Sequence, residues 1–132
     1  MISGMSEFKK KMIQVISWIP HGKVMSYGQV AVYIGVPRGA RQVGWSMRSL
    51  EGKVDSPWWR VVNNAGRITI KGNLYNDQEL QKKLLITEGI PVKDDFTFEI
   101  EKYRFYPDME LLKEMELDKE YLAMIHEKYF PT

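Results

Sequence analysis

Phe8, Met12, Val15, Ile16 and Ile19 recur at helical spacing, and Pro20-His21-Gly22 stops the run. This pattern predicts a first amphipathic helix with Lys9, Lys10 and Lys11 on a solvated face. Ser26 with Gln29 three residues later matches a capping box, so a short helix is expected from there to about Ile34, closed by Gly35. Pro37 suits the first turn of another helix that runs to roughly Leu50 with Val43 and Met47 inward. Val61-Val62, a turn at Asn63-Asn64-Ala65-Gly66, and the alternating Arg67-Ile68-Thr69-Ile70-Lys71 predict strand, turn and strand, with Arg67, Thr69 and Lys71 on one face. A helix from about Asp77 to Thr87 should bury Leu80, Leu84 and Leu85 and stop at Gly89. Phe96, Phe98 and Ile100 alternate as an edge strand, and the stretch after Pro107 reads as one amphipathic helix holding Leu111, Leu112, Met115 and Leu122 through Ile125. The expected class is mostly α, with short strands.

Two short helices joined by a turn containing Gly35 form a helix-turn-helix candidate. The second is unusual: Arg38, Gly39, Ala40, Arg41, Gln42 and Gly44 give it small residues and positive charge. A glycine inside a helix costs about 1 kcal/mol relative to alanine, so two of them call for a reason. Close approach of the backbone to something flat or grooved is one; a tight helix–helix crossing is the other.

Composition narrows the class. At 132 residues, with 44% hydrophobic and 27% charged, the chain suits one folded domain rather than a disordered segment. It has no cysteine, which excludes a disulfide scaffold, a thiolate zinc site and a cysteine nucleophile. No apolar run approaches the ~18 residues of a membrane span, and the first residues lack a secretion-signal pattern, so a soluble cytoplasmic protein is expected. The net charge of +2 conceals a split: residues 1–93 carry 14 Lys/Arg against 6 Asp/Glu, and residues 94–132 carry 5 against 11. A basic body suits a polyanionic partner, whereas the acidic end reads either as a solvated helix face or as a docking surface. Neither His21 nor His126 has a spacing that suggests a triad, and no clustered metal-ligand spacing or Gly-x-Gly phosphate loop occurs. No catalytic residue, metal or cofactor is expected.

Three blocks carry more. Gly22-Lys23-Val24-Met25-Ser26-Tyr27-Gly28-Gln29-Val30-Ala31, then Pro37-Arg38-Gly39-Ala40-Arg41-Gln42-Val43-Gly44, then Pro57-Trp58-Trp59-Arg60-Val61-Val62-Asn63 follow one another at compatible spacing. In that order they resemble the DNA-binding domain of O6-alkylguanine-DNA alkyltransferases, over roughly residues 6–106. In that family the last block is Pro-Cys-His-Arg-Val, and its cysteine accepts the alkyl group. Trp58 stands at the cysteine position, the hallmark of the alkyltransferase-like proteins, and Trp59 stands where those relatives commonly keep histidine. The active enzymes also carry an asparagine near Leu50 that this chain lacks.

The resemblance implies a winged-helix-like helix-turn-helix domain over residues 1–106, followed by an acidic helical extension, 107–132. It also implies a monomer that binds double-stranded DNA containing O6-alkylguanine through the minor groove, flips the base and flags it for nucleotide excision repair proteins. Dealkylation needs a soft, readily ionised nucleophile, and an indole is neither, so recognition without reaction is expected. Arg41 matches the arginine that fills the space of the extruded nucleotide, and Tyr27 the tyrosine that crowds the neighbouring phosphate. Gly39, Ala40 and Gln42 are expected to face the minor groove, with Ser26 beside Tyr27 in the same DNA-binding set. Trp58 should wall the lesion pocket, and the main-chain carbonyls of Trp58 and Val61 should take the guanine amine. Lys71 or Arg67 would place a cation at the pocket mouth, and Trp59 reads as a core residue. Two rivals remain: a regulator reading undamaged DNA in the major groove, and a pseudoenzyme that docks proteins through its acidic end.

Overall fold

The computed structural model describes residues 6–48, 55–69 and 78–129, with side chains through His126. Helix α1 (Glu7–Ser17) is capped by Ser6, whose hydroxyl accepts from the Lys9 N–H, and it buries Met12, Val15 and Ile16 as its spacing requires. Helix α2 (Tyr27–Tyr33) opens with the full capping box: Ser26 Oγ accepts from the Gln29 N–H at 3.0 Å, and Gln29 Oε1 accepts from the Ser26 N–H at 3.0 Å. Gly35, at φ +89°, lets the chain leave it.

Helix α3 spans Ala40–Arg48 and therefore begins three residues later than Pro37 suggests. The chain first turns, with the Gly39 N–H donating to the Val36 carbonyl at 2.9 Å. Gly39 is buried there, and a Cβ on it would lie 2.8 Å from Val36 Cγ1. Its close approach is thus to its own chain. Gly44 is the opposite case: a Cβ there would meet nothing within 4 Å among the described residues, so no described helix crossing demands it.

Strand β1 (Met25–Ser26) pairs in parallel with β2 (Val61–Val62), Met25 opposite Val61 and Ser26 opposite Val62. Val24 is bonded to the segment around Arg104, through Tyr103 O at 2.9 Å and the Phe105 N–H at 2.7 Å. A 3₁₀ turn, Trp58–Arg60, leads into β2. The turn after it closes as expected, with Asn63 Oδ1 accepting from the Ala65 N–H at 2.7 Å and Gly66 at φ +78°. Beyond it Ile68 is buried between exposed Arg67 and Thr69, but the pairing is a single antiparallel bridge between Arg67 and Thr97. Ile70 and Lys71, the rest of that expected strand, lie outside the described residues.

Helix α4 (Gln78–Thr87) corrects the expected inner face: Leu85 is buried and Leu84 half-buried, but Leu80 is exposed and Gln81 takes the inner position. The cause is local. Gln81 Nε2 donates to the carbonyls of Trp59 and Val61, both at 3.0 Å, tying α4 to the turn before β2. Phe98 and Ile100 are buried, yet Phe96 at φ +65° and a 3₁₀ turn at Ile100–Lys102 replace the expected edge strand. After Pro107 there are two helices rather than one, α5 (Met109–Lys113) and α6 (Lys119–Tyr129). Glu116 at φ +54° breaks the run, and Asp118 starts the second by accepting from the Tyr121 N–H at 3.3 Å. Leu112, Met115 and Ile125 join the same buried cluster as α1, α2 and α3, and the Tyr121 hydroxyl donates to the Val32 carbonyl at 2.6 Å. The mostly helical class with short strands is what the chain adopts.

Candidate nucleic-acid interface

From residue 8 to residue 50 the chain has no Asp or Glu and seven Lys or Arg. Such a run concentrates positive potential on the helices built from it. On α3 the buried residues are Val43 and Met47, which leaves Arg41, Gln42, Trp45 and Arg48 on the outer face. Among the described residues, no carboxylate pairs with Arg38 or Arg41.

Tyr27, first residue of α2, faces that helix across a hollow of about 310 Å³. Ala40, Arg41, Gly44, Trp45 and Arg48 form its α3 wall, and Thr69 closes it beside Tyr27. Burial raises the Tyr27 phenol above its ordinary pKa, and a hydrogen bond with Thr69 and the charge of Arg48 only partly offset this. The hydroxyl is therefore protonated at neutral pH and keeps a proton to donate. The structure thus brings Tyr27, Ala40 and Arg41 together, and Gln42 stands on the same outer face.

The remaining expected residues are placed differently. Ser26 is buried, its hydroxyl engaged as the α2 cap, and it borders an adjoining hollow of about 550 Å³ that shares Tyr27 and Ala40 as walls and adds Asn63, Asn64 and Arg104. Gly39 is covered by its own turn, as described above. Arg67 is exposed on the Thr69 face but is not among the described walls of the Tyr27 hollow. Asp95 lies close to it, its carboxyl held below the ordinary value first by Thr97 and in smaller part by Lys93 and Arg67. Lys71 lies outside the described residues.

Trp58 is half-buried between the two apolar clusters and is likewise not among the described walls of that hollow. Its ring meets Trp59 edge-on, 6.0 Å between centroids at 89°. The Trp58 carbonyl accepts from the Val61 N–H, and the Val61 carbonyl accepts from Gln81.

Trp59 is more than a core ring. Its Nε1–H donates to Glu88 Oε2 at 2.7 Å. Arg60 forks onto the same carboxylate, Nη2 at 2.8 Å and Nε at 3.0 Å, while Nη1 donates to the Ile19 carbonyl at 2.8 Å. The Gly22 N–H adds a further bond at 2.8 Å. Burial by itself would raise the Glu88 pKa, but the donors from Arg60, Gly22 and Trp59 and the charge of Arg60 outweigh it, and the net shift is downward. Sequence reasoning assigned no role to Trp45, Thr69, Gln81 or Glu88.

The family profile described as 6-O-methylguanine DNA methyltransferase, DNA binding domain, matches residues 7–90. The chain belongs to this family, among its alkyltransferase-like members. It is 40% identical over 88 residues to alkyltransferase-like protein 1 of Schizosaccharomyces pombe, covering 67% of this chain and 81% of that protein. A DNA base-flipping protein of Vibrio parahaemolyticus is 38% identical over 103 residues, 78% of this chain and all of that one. The crystal structure of S. pombe Atl1 in complex with damaged DNA containing O6-carboxymethylguanine superposes with a TM-score of 0.71 at 34% identity, covering 78% of this chain and 98% of that chain.

Proposed function

We propose that this protein recognises O6-alkylguanine in duplex DNA by flipping the damaged nucleotide out of the stack, and holds it without dealkylation. The observation that carries the reading is the pairing of Arg41 and Tyr27 across one hollow that has no carboxylate among its described walls. Arg41 enters the duplex from the minor groove and takes the place of the extruded nucleotide, its guanidinium donating to the orphaned base. Tyr27 presses on the neighbouring phosphate with a hydroxyl that is a donor at neutral pH. Ala40 and Gln42 border the groove, and Ser26 and Gly39 act from beneath, as the cap of α2 and the turn into α3.

The flipped base is walled by Trp58, and its exocyclic amine is taken by the main-chain carbonyls of Trp58 and Val61. A cation from Lys71 or Arg67 stands near O6. The indole at position 58 has no ionisable sulfur to attack the alkyl carbon, so the alkyl group stays on the base. The relatives' names, a DNA base-flipping protein and an alkyltransferase-like protein, and the Atl1 complex with damaged DNA support this reading. A protein that holds a lesion it does not repair serves by presenting it, and nucleotide excision repair proteins are the proposed recipients.

The test is fluorescence anisotropy on two duplexes that differ by one methyl at guanine O6. Tighter binding to the methylated duplex is expected, beyond the roughly fourfold that one buried methyl group supplies. Arg41→Ala is expected to abolish that preference. Equal binding of the two duplexes by the unaltered protein overturns the reading.

A further inference from the structure

Trp45 is 63% exposed, more than any other large apolar side chain among the described residues. A tryptophan left in water forgoes the burial that usually secures it, and an exposed aromatic ring on a basic surface is available for stacking on a ligand. Its surroundings indicate the partner. It follows Arg41 by one helical turn, shares the same hollow, and lies in the stretch that carries seven cations and no carboxylate. Gly44 beside it opens the surface, since a Cβ there would touch none of the described residues. An aromatic ring set among arginines is the combination that takes a sugar–phosphate chain and its bases.

We propose that Trp45 is a second DNA contact of α3, packing its indole on deoxyribose and base edges of the minor groove next to the gap filled by Arg41. The proposal rests on the reading above for its placement. Four residues of helix separate the two side chains by about 6 Å along the axis. Successive nucleotides of one strand lie about 3.4 Å apart, so the indole reaches neighbours of the flipped nucleotide rather than the lesion itself. Its contribution is therefore affinity without lesion preference.

Anisotropy with the full chain separates these roles. Trp45→Ala is expected to weaken binding to methylated and unmodified duplexes by the same factor, at least about fivefold, and Trp45→Phe should retain most of the affinity. Because an indole displaces no counterions, the slope of log K against log salt should be unchanged in Trp45→Ala, whereas Arg38→Ala should reduce it by about one. An unchanged thermal melt would show that the exposed ring does not support the fold. Unaltered binding to both duplexes overturns the proposal, as does a loss confined to the methylated one, which would put the ring in the lesion pocket. If the unaltered protein shows no lesion preference but Trp45→Ala weakens both complexes, lesion sensing fails and this contact stands. If the preference is present and Trp45→Ala changes nothing, the contact fails and sensing stands. No binding to either duplex overturns both.

Discussion

At Glu88 four N–H groups, from Gly22, Trp59 and twice from Arg60, converge on one carboxylate whose side chain is only 6% exposed. The family motif puts a histidine where Trp59 stands. An indole N–H donates to the carboxylate as an imidazole N–H can, but it does not titrate near neutral pH, so this joint between α4 and the turn before β2 keeps its charge pattern over a wide range. Removing the carboxylate leaves the mostly buried Arg60 uncompensated, and Glu88→Ala is expected to cost about 3 kcal/mol in denaturant unfolding. The sign of the pH dependence follows from the lowered pKa. Glu88 contributes its stability fully above the ordinary carboxylate value, and loses it as pH falls through its lower folded value. That part of the acid destabilisation should be absent from Glu88→Ala. Single residues were legible where a motif named them: Tyr27 and Arg41 meet across the hollow. Trp45 was not, because exposure belongs to the assembled surface, and Gly39 and Gly44 differ only in what stands above each in space.

Among the elements, the capping box was the clearest signal, because Ser26 and Gln29 form both bonds at local spacing and need no tertiary help. Ser26→Ala should destabilise the protein by about 1–2 kcal/mol in thermal melts, since the Gln29 N–H it satisfies is buried. The same substitution should weaken binding to methylated DNA, because it loosens the start of α2 on which Tyr27 rides. Elements set by distant contacts were harder to read. β1 has two residues, too few for alternation to register, and exists through its pairing with β2. α4 turned out Gln81 inward because two backbone carbonyls there lacked a donor, a requirement no periodicity encodes. The break between α5 and α6 rests on a positive φ at Glu116, a residue with no turn signal of its own.

The molecule as a whole separates its charge. The stretch from residue 8 to residue 50 holds seven Lys or Arg and no carboxylate, while the segment after Pro107 carries Glu110, Glu114, Glu116, Asp118 and Glu120 on exposed positions. Leu112, Met115 and Ile125 sink into the same core as Met12 and Val43, so the acidic segment is part of the packed body rather than a free tail. A polyanion is attracted by the basic stretch that holds Tyr27, Arg41 and Trp45 and repelled by the acidic segment. The charge split was visible in composition. Its packing was not, because one long helix and two short ones share the same apolar residues. Nucleotide flipping is the central claim, and 2-aminopurine placed next to O6-methylguanine in a duplex reports it directly, brightening when its neighbour leaves the stack. Emission is expected to rise when the protein binds the methylated duplex, and not to rise with Arg41→Ala. Tight binding of the methylated duplex with no change in emission would contradict flipping.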